Sequence, residues 1–352
     1  MVGEILGQLP VARRAAVVPV KTPDAAAAPP VRYNLDGWRA ISILSVLAGH
    51  LLPIGPKAWE LNGAVAATGM VIFFNLSGFL IVSFLLRDPN ALPFIVRRLF
   101  RIVPLAWAAI AVLALWTMPD FETLAANLVF ISNIPPTRLM HGGEHLWSLC
   151  VEVQFYAGVA ILVAVAGARG LYILPLVGLA VTAARVQTDA FIGIYTWQRA
   201  DEILAGATIA LAHHHGLFQR YVPRRLALWA FALMPLIVLT GHPAGGALNF
   251  ARPWISALAI AMTLVALPTL IDRAFRSRAA LYIAATSYAL YVIHGMLMFT
   301  WLGDGGTVEK YLKRPLLFAA TFALAHVSTF WFEARMIAIG RRLAERVGER
   351  GA

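Results

Sequence analysis

The chain alternates long apolar stretches with short polar segments that are often basic. Ten stretches approach the roughly 20 residues that a helix needs to cross a bilayer. Backbone polar groups in lipid must be satisfied internally, and stretches of this length favour helices. We therefore predict an all-α fold, a polytopic integral membrane helical bundle of about ten transmembrane helices. The predicted spans cover residues 36–54, 62–86, 102–118, 146–166, 171–186, 198–213, 226–241, 253–271, 281–302 and 314–336.

Two polar regions flank the predicted membrane domain, residues 36–340. Residues 1–35 contain five prolines and an Ala/Pro tract at 25–30, which oppose a stable helix. We interpret them as a disordered cytoplasmic N-terminal tail. Residues 341–352 are predicted to form a basic cytoplasmic C-terminal tail.

Composition and charge agree with the membrane class. Hydrophobic residues make up 60% and charged residues 13% of the 352 positions, which excludes an ordinary soluble domain. The formal net charge is +11, but the basic residues are spread over segments between apolar spans. We therefore expect the lipid bilayer, and no nucleic acid, as a partner. Cys150 is the single cysteine, so no cysteine metal site can be built, and no metal is expected.

The distribution of basic residues predicts the orientation. With ten spans both termini lie on one side, and that side carries 20 Lys and Arg residues against 8 on the other. Because cytoplasmic loops are enriched in Lys and Arg, both termini should be cytoplasmic.

Three predicted spans keep an ionisable residue: His50, Glu152 and His294. Such a group in hydrocarbon costs several kcal/mol unless it is paired or lines a wet cavity. Arg39 precedes His50 by eleven residues, which places both on one helix face about 16 Å apart. The topology places His50, Glu152 and His294 in the same outer layer. We therefore expect one water-accessible cavity that Arg39, His50 and Glu152 share.

Arg98 and Arg101 lie in the predicted cytoplasmic loop after the second span. At positions i and i+3 they share a helix face, and their guanidinium groups could hold phosphates bidentately. A nucleotide-like donor could dock there. The alternative is that these arginines only enforce topology and contact lipid headgroups.

Five motifs occur in an order that resembles one known family. They are NLDGWRA at 34–40 leading to His50, FFNLSGFLI at 73–81, Arg98-x-x-Arg101, HLWSLCVEVQFY at 145–156, and SYALYVIH at 287–294. Each motif alone is weak evidence for a family, but five motifs in the same order are strong evidence. Over about residues 34–340 the chain resembles the acyltransferase-3 family of integral membrane acyltransferases, which includes O-acetyltransferases.

The resemblance implies an enzyme that moves an acyl group, commonly acetyl, from cytoplasmic acyl-CoA. The acceptor would be a hydroxyl of an envelope or exported glycan or glycolipid at the outer side of the bacterial cytoplasmic (inner) membrane. No other cofactor is implied. Some members of the family carry an extracytoplasmic hydrolase-like domain after the last span. This chain ends shortly after Arg342, so we expect transfer to finish within the membrane domain or on a separate partner.

The family motifs also assign roles by resemblance. Arg39 and His50 match an Arg-x10-His pair linked to activity, Arg98 and Arg101 a pair linked to donor binding, and Glu152 the acidic residue of the Trp-Ser-Leu motif. The chain departs from the family at two positions. Cys150 stands where Ser is usual, and Val153 where a second Glu is common.

The chemistry of acyl transfer suits these residues independently. A base must take the hydroxyl proton, and His50 is our candidate. We hypothesise that Glu152 orients His50, as a carboxylate orients imidazole in a catalytic triad; alternatively it binds the acceptor. An acyl-His50 intermediate is a competing mechanism.

Further polar and aromatic residues are candidates for substrate binding. They are His294, Trp147 and Tyr288, with the alternatives that His294 makes a structural interhelical hydrogen bond and that the aromatic residues are wall residues. Asp201 and Glu202 are interpreted as helix-start carboxylates at the outer surface.

A second function class remains open, a transporter or flippase that uses Arg39, His50 and Glu152 as a polar translocation path. The two halves show no inverted repeat, which weighs against it. The sequence leaves the oligomeric state open, with a homodimer as one alternative.

Overall fold

The computed structural model describes residues 30–349, and within that range the chain is helical with no strand. Short 3-10 turns and one π-helical segment, Ser328–Glu333, connect or extend the α-helices. The α-helices are α1 (Pro30–Leu51), α2 (Leu61–Leu85), α3 (Ala91–Thr117), α4 (Phe121–Leu128), α5 (Trp147–Ala166), α6 (Leu174–Gln187), α7 (Thr196–His214), α8 (Leu217–Tyr221), α9 (Arg224–Ala227), α10 (Met234–Thr240), α11 (Arg252–Val265), α12 (Thr269–Phe275), α13 (Arg278–Met298), α14 (Thr307–Val327) and α15 (Ala334–Glu349).

The all-helical class is confirmed. Among the described residues, six helical stretches are long and apolar enough to cross a membrane. The predicted first, sixth and seventh spans are not among them. Helices α1 and α7 carry charged residues, and the apolar helix of the seventh span, Ala230–Thr240, is short. The count of ten spans and the side of the termini remain predictions. The six stretches are Leu61–Leu85, Ala91–Thr117, Glu144–Gln187, Pro243–Val265, Arg278–Met298 and Thr307–Glu349.

Three predicted boundaries were wrong. Helix α1 begins at Pro30, although the tail was predicted to reach residue 35; the rest of that tail, residues 1–29, lies outside the described residues. Arg98 and Arg101 lie inside α3 and not in a loop. Pro93 is compatible with this early start, because it falls in the first turn, where its missing N–H costs nothing.

The C-terminal end also differs from the prediction. Residues 341–349 continue α15 as a helix, whereas a tail was predicted from 341; residues 350–352 are outside the described part of the chain. Helix α15 packs against α3, and a Cβ at Gly340 would lie 2.4 Å from Cβ of Phe100. This close approach stabilises the last helix as part of the bundle.

The centre of the bundle is formed by α1, α2 and α7, with α2 packed against both others. Two glycines permit the α2–α7 contact. A Cβ at Gly78 would lie 1.8 Å from the carbonyl oxygen of Ile203, and a Cβ at Gly206 would lie 1.9 Å from that of Asn75. Small residues at such crossings let helix backbones approach closely.

Gly78→Ala should therefore destabilise the protein. The added methyl group meets backbone and not a mobile side chain, so α2 and α7 must separate, at a cost of about 1–3 kcal/mol or more. We expect a clear fall in Tm in detergent. Gly63→Ala is the matched control on the same helix, because nothing lies within 4 Å of its Cβ. Equal Tm values for the two variants would contradict the close packing.

An ion cluster inside the bundle corrects the interpretation of Asp201 and Glu202. Both residues are fully buried and not at the outer surface. Asp201 accepts a 2.6 Å hydrogen bond from Arg185 of α6, and Glu202 accepts two from Arg252 of α11. Asp201 and Glu202, which were predicted to lie at the surface, instead form ion pairs that join α6, α7 and α11. Buried charges require such partners.

Candidate active site

A cavity of about 70 Å³, called the inner cavity after the predicted orientation, is lined by the arginines that the sequence singled out. Arg39 comes from α1, Arg98 and Arg101 from α3, Glu152 from α5 and Tyr288 from α13. Five residues on four helices thus form one polar chamber. Arg39 and Glu152, which were predicted to share a cavity, both line this one.

Glu152 is held by hydroxyl groups. Its Oε1 accepts a 2.6 Å hydrogen bond from Ser77 of α2 and a short one from Tyr156, one helical turn away on α5. The carboxylate is 5% exposed. Three arginines line the same chamber, so Glu152 supplies negative charge to a strongly positive site.

The arginines of this chamber are held by different partners. Arg39 donates to Asp36, one turn earlier, at 3.3 Å. The guanidinium of Arg98 lies over the rings of Phe94 and Tyr156, 5.8 and 6.0 Å from their centroids. These contacts hold Arg98 beside the chamber that it lines.

A third cavity, about 150 Å³, adjoins the arginine cluster. Arg98 and Arg101 line both this cavity and the inner one. Arg97 and Arg341 complete it, the latter from α15. Four guanidinium groups therefore converge at one opening, in a pattern typical of phosphate binding.

The outer cavity is larger, about 750 Å³. Its lining includes His50 from the end of α1, His294 from α13, and Trp147 and Arg199 from α5 and α7. His50 is exposed, whereas His294 is fully buried. A cavity of this size is in the range of small-ligand sites.

Hydrogen bonds fix the tautomers of two histidines. Nδ1 of His294 lies 2.7 Å from the carbonyl oxygen of Tyr291 and 3.2 Å from that of Leu290; carbonyls only accept, so Nδ1 carries the proton. Nε2 of His294 is then an acceptor, and Nδ1 of His50, at 2.9 Å, donates to it. Neutral His50 is therefore left with the lone pair on Nε2, which is the form that a general base requires.

His145 packs against this pair. Its ring centroid lies 5.1 Å from that of His294, and its Nε2 donates to the carbonyl of Val292 at 3.0 Å. Gly295 makes room for it, since a Cβ there would lie 2.2 Å from Cε1 of the His145 ring. The hydroxyl of Tyr291 donates to the carbonyl of His145. His145 thus covers the buried side of the histidine pair.

The predicted single site is therefore divided in two. Glu152 does not orient His50: its carboxylate is bonded to Ser77 and Tyr156, and His294 is the hydrogen-bond partner of His50. Arg39 and Glu152 line the inner cavity, whereas His50 lines the outer one. Met70 and Tyr291 line both and so form the partition between them. The predicted common outer layer for His50 and Glu152 was wrong.

The three predicted substrate-binding residues are also divided. His294 and Trp147 line the outer cavity together. Tyr288 lines the inner cavity, and its hydroxyl donates to the carbonyl of Ile102 at 2.5 Å. Its phenol group is thus engaged with the backbone of α3.

Sequence reasoning missed several residues of these sites. Tyr156 could have been found, because it follows Glu152 by four residues on one helix face. Tyr291 could likewise have been found, since it precedes His294 by three. Arg199 gave no signal, because its burial depends on three helices distant in sequence.

Together the fold and the cavities define a helical membrane protein with an imidazole pair in an open outer cavity and an arginine cluster around an inner one. The sequence model of the acyltransferase-3 family, described as an acyltransferase domain, matches residues 32–333. The chain therefore belongs to the acyltransferase-3 family.

Curated relatives are similar to this chain at moderate identity. "Peptidoglycan O-acetyltransferase OatA" of Listeria monocytogenes is 23% identical over 350 residues, covering 85% of this chain and 55% of that protein. "Putative membrane-bound transacylase BcsY" of Komagataeibacter xylinus is 26% identical over 232 residues, 60% of this chain and 52% of that protein. "Putative peptidoglycan O-acetyltransferase YrhL" of Bacillus subtilis is 34% identical over 151 residues, 35% of this chain and 22% of that protein.

The chain thus spans about half the length of OatA and BcsY and less of YrhL. No solved structure matches it.

Proposed function

We propose that this protein is a membrane O-acyltransferase that moves an acyl group, commonly acetyl, from acyl-CoA to a hydroxyl of a glycan or glycolipid. In this proposal ten transmembrane helices cross the bacterial cytoplasmic membrane with both termini in the cytoplasm. The observation that carries the chemistry is the tautomer of His50, whose Nε2 lone pair is left available in the open outer cavity. Membership in the acyltransferase-3 family supports the reaction type.

In the proposed reaction, Nε2 of His50 takes the proton of the acceptor hydroxyl as its oxygen attacks the thioester carbonyl carbon. The new C–O bond forms, the C–S bond breaks, and the proton on His50 passes to the departing thiolate. His294 accepts the Nδ1–H of His50 throughout, and so holds the ring in one orientation. Atoms and charge balance without a metal or a redox partner.

The donor is proposed to enter at the arginine cluster. Arg97, Arg98, Arg101 and Arg341 offer forked donors that match the phosphates of coenzyme A. Arg39 and His50 are about 16 Å apart along α1, so the pantetheine arm would pass Met70 and Tyr291 to bring the thioester to His50. Glu152 then serves as counter-charge to the arginines of the inner cavity.

Arg341→Ala should raise KM for the donor by about 2- to 5-fold with kcat unchanged, since Arg341 is exposed and such ion pairs are worth about 1 kcal/mol or less. Arg342→Ala is the matched control, an exposed arginine of the same helix that does not line the cavity. The measurement is a donor titration at saturating acceptor. Equal KM values for the two variants would remove Arg341 from the donor site.

The proposed function is tested with the purified protein in liposomes, supplied with radiolabelled acetyl-CoA and an envelope glycan fraction from the producing cells. Release of free thiol together with label in the glycan supports an acyltransferase. Label that crosses the bilayer without thioester cleavage would support the transporter instead. Omitting the glycan in a single turnover separates two mechanisms, because label retained on the protein would indicate an acyl-His50 intermediate.

A further inference from the structure

The buried ion cluster between α6, α7 and α11 has one positive charge in excess. Three guanidinium groups, from Arg185, Arg199 and Arg252, face two carboxylates, from Asp201 and Glu202. All five side chains are at most 2% exposed. An uncompensated charge in such a place is unfavourable, so a counter-anion would stabilise it.

Among the three arginines, only Arg199 has unpartnered nitrogen atoms; Oδ1 of Asp201 and Oε2 of Glu202 are the unpartnered carboxylate oxygens of the cluster. Arg185 places all three of its nitrogen atoms in hydrogen bonds, to Asp201, Asn249 and the carbonyls of Ala190 and Phe191. Arg252 likewise uses all three, two of them on Glu202. Arg199 contacts Glu202 only through Nη2, at 3.2 Å, while its Nε and Nη1 are buried without a hydrogen-bond partner.

Arg199 lines the outer cavity together with His50 and His294. Its carbon Cζ lies 5.2 Å from the ring centroid of Trp147 and 5.8 Å from that of Phe74, so two aromatic rings hold it in place. A preorganised guanidinium fork matches carboxylate and phosphate oxygens in geometry as well as charge. The carboxylates that also line this cavity, Glu60 and Glu144, belong to its more exposed part.

We propose that Arg199 binds an anionic group of the acceptor, a carboxylate or a phosphate, and so holds the acceptor in the outer cavity beside His50. The acceptor class is then an acidic sugar or a sugar phosphate and not a neutral sugar. This inference rests on the proposed function, because it takes the outer cavity as the acceptor site.

The test measures binding of three probes to the full-length protein in detergent without donor: methyl glucoside, methyl glucuronide and glucose 6-phosphate. We expect the better anionic probe to bind about 10- to 100-fold more tightly than the neutral one, as for a charge-assisted bidentate contact. Comparing the affinities for methyl glucuronide and glucose 6-phosphate shows whether the site prefers a carboxylate or a phosphate. Arg199→Met should abolish the preference, and Arg199→Lys, which keeps the charge beside Glu202, should retain part of it.

Two controls keep the result specific. The preference should survive in the Arg98→Ala/Arg101→Ala variant, which removes the other cluster that could attract anions. The Tm of each variant shows that it is folded, and Arg199→Lys serves if Arg199→Met does not fold.

Equal affinity for all three probes, no binding of either anion at millimolar concentration, or a preference that persists undiminished in Arg199→Met would overturn the inference. If Arg199→Met does not fold, an undiminished preference in Arg199→Lys would overturn it. Acyl transfer assayed separately distinguishes the two failures. Transfer without an anion preference refutes only the role of Arg199, whereas a preference without transfer refutes only the proposed function.

Discussion

Replacing His50 by alanine is expected to lower kcat for acyl transfer by about 10²- to 10⁴-fold, the usual contribution of a general base. The substitution removes the Nε2 lone pair of His50, which the hydrogen bond to the buried His294 holds in the outer cavity. The measurement is transfer of label from acetyl-CoA to the glycan at saturating donor. His50 is exposed, so its removal should leave the Tm nearly unchanged.

The role of His294 gives this prediction a second, independent readout. His294→Gln can still accept the Nδ1–H of His50, whereas His294→Leu cannot, although both variants replace a buried ring. We expect the Gln variant to keep more activity than the Leu variant at equal protein stability. Equal loss in both would show that His294 acts only in packing, and full activity of His50→Ala would remove the imidazole from the mechanism.

Much of the fold could be predicted because a chain that crosses lipid must satisfy its own backbone hydrogen bonds, which few structures do. Long apolar runs had to be helices, and helices occur in every predicted span, although the seventh and eighth are divided into shorter helical segments. The boundaries failed where tertiary contacts extend a helix beyond its apolar run. Helix α3 continues through the arginines because they line cavities inside the protein, and α15 continues because Gly340 lets it lie against Phe100. Hydropathy alone carries no information on such contacts.

The site was predicted residue by residue but not in its pairing. Arg39, His50 and Glu152 all line cavities, as the cost of burying charge required. The partner of Glu152 was wrong because depth was estimated from span edges that are uncertain by several residues, which equals one or two helical turns. An error of that size is enough to place His50 and Glu152 in one layer when they line different cavities. Pairing depends on side-chain directions across helices, which a periodic pattern does not encode.

The buried ion cluster is a second case in which the sequence pattern did not predict which side chains pair. Asp201 and Glu202 follow Arg199 closely, so the local pattern resembles a solvated helix start. Their partners, Arg185 and Arg252, come from helices on either side in sequence. Each arginine alone looks like a surface residue between spans. Only the packing of α6 and α11 against α7 brings the charges together and buries them.

Arg98→Ala/Arg101→Ala is expected to raise KM for acyl-CoA by about 10- to 100-fold while kcat at saturating donor changes little. Each arginine lines both the inner and the third cavity, and charge-assisted contacts to phosphate contribute about 1.5–3 kcal/mol each before solvent screening. The effect should fall as ionic strength rises, because salt screens exposed charges. Donor titrations at two salt concentrations provide the measurement.

A control variant separates phosphate binding from topology. Arg87→Ala/Arg342→Ala also removes two positive charges from exposed positions on the same predicted side, but neither residue lines a cavity described above. If the cluster only enforced orientation, both double variants would lower the amount of inserted protein and leave KM unchanged. If it binds the donor, only the Arg98/Arg101 variant raises KM, and Arg98→Lys/Arg101→Lys falls between it and the unmodified protein because lysine keeps the charge without the fork.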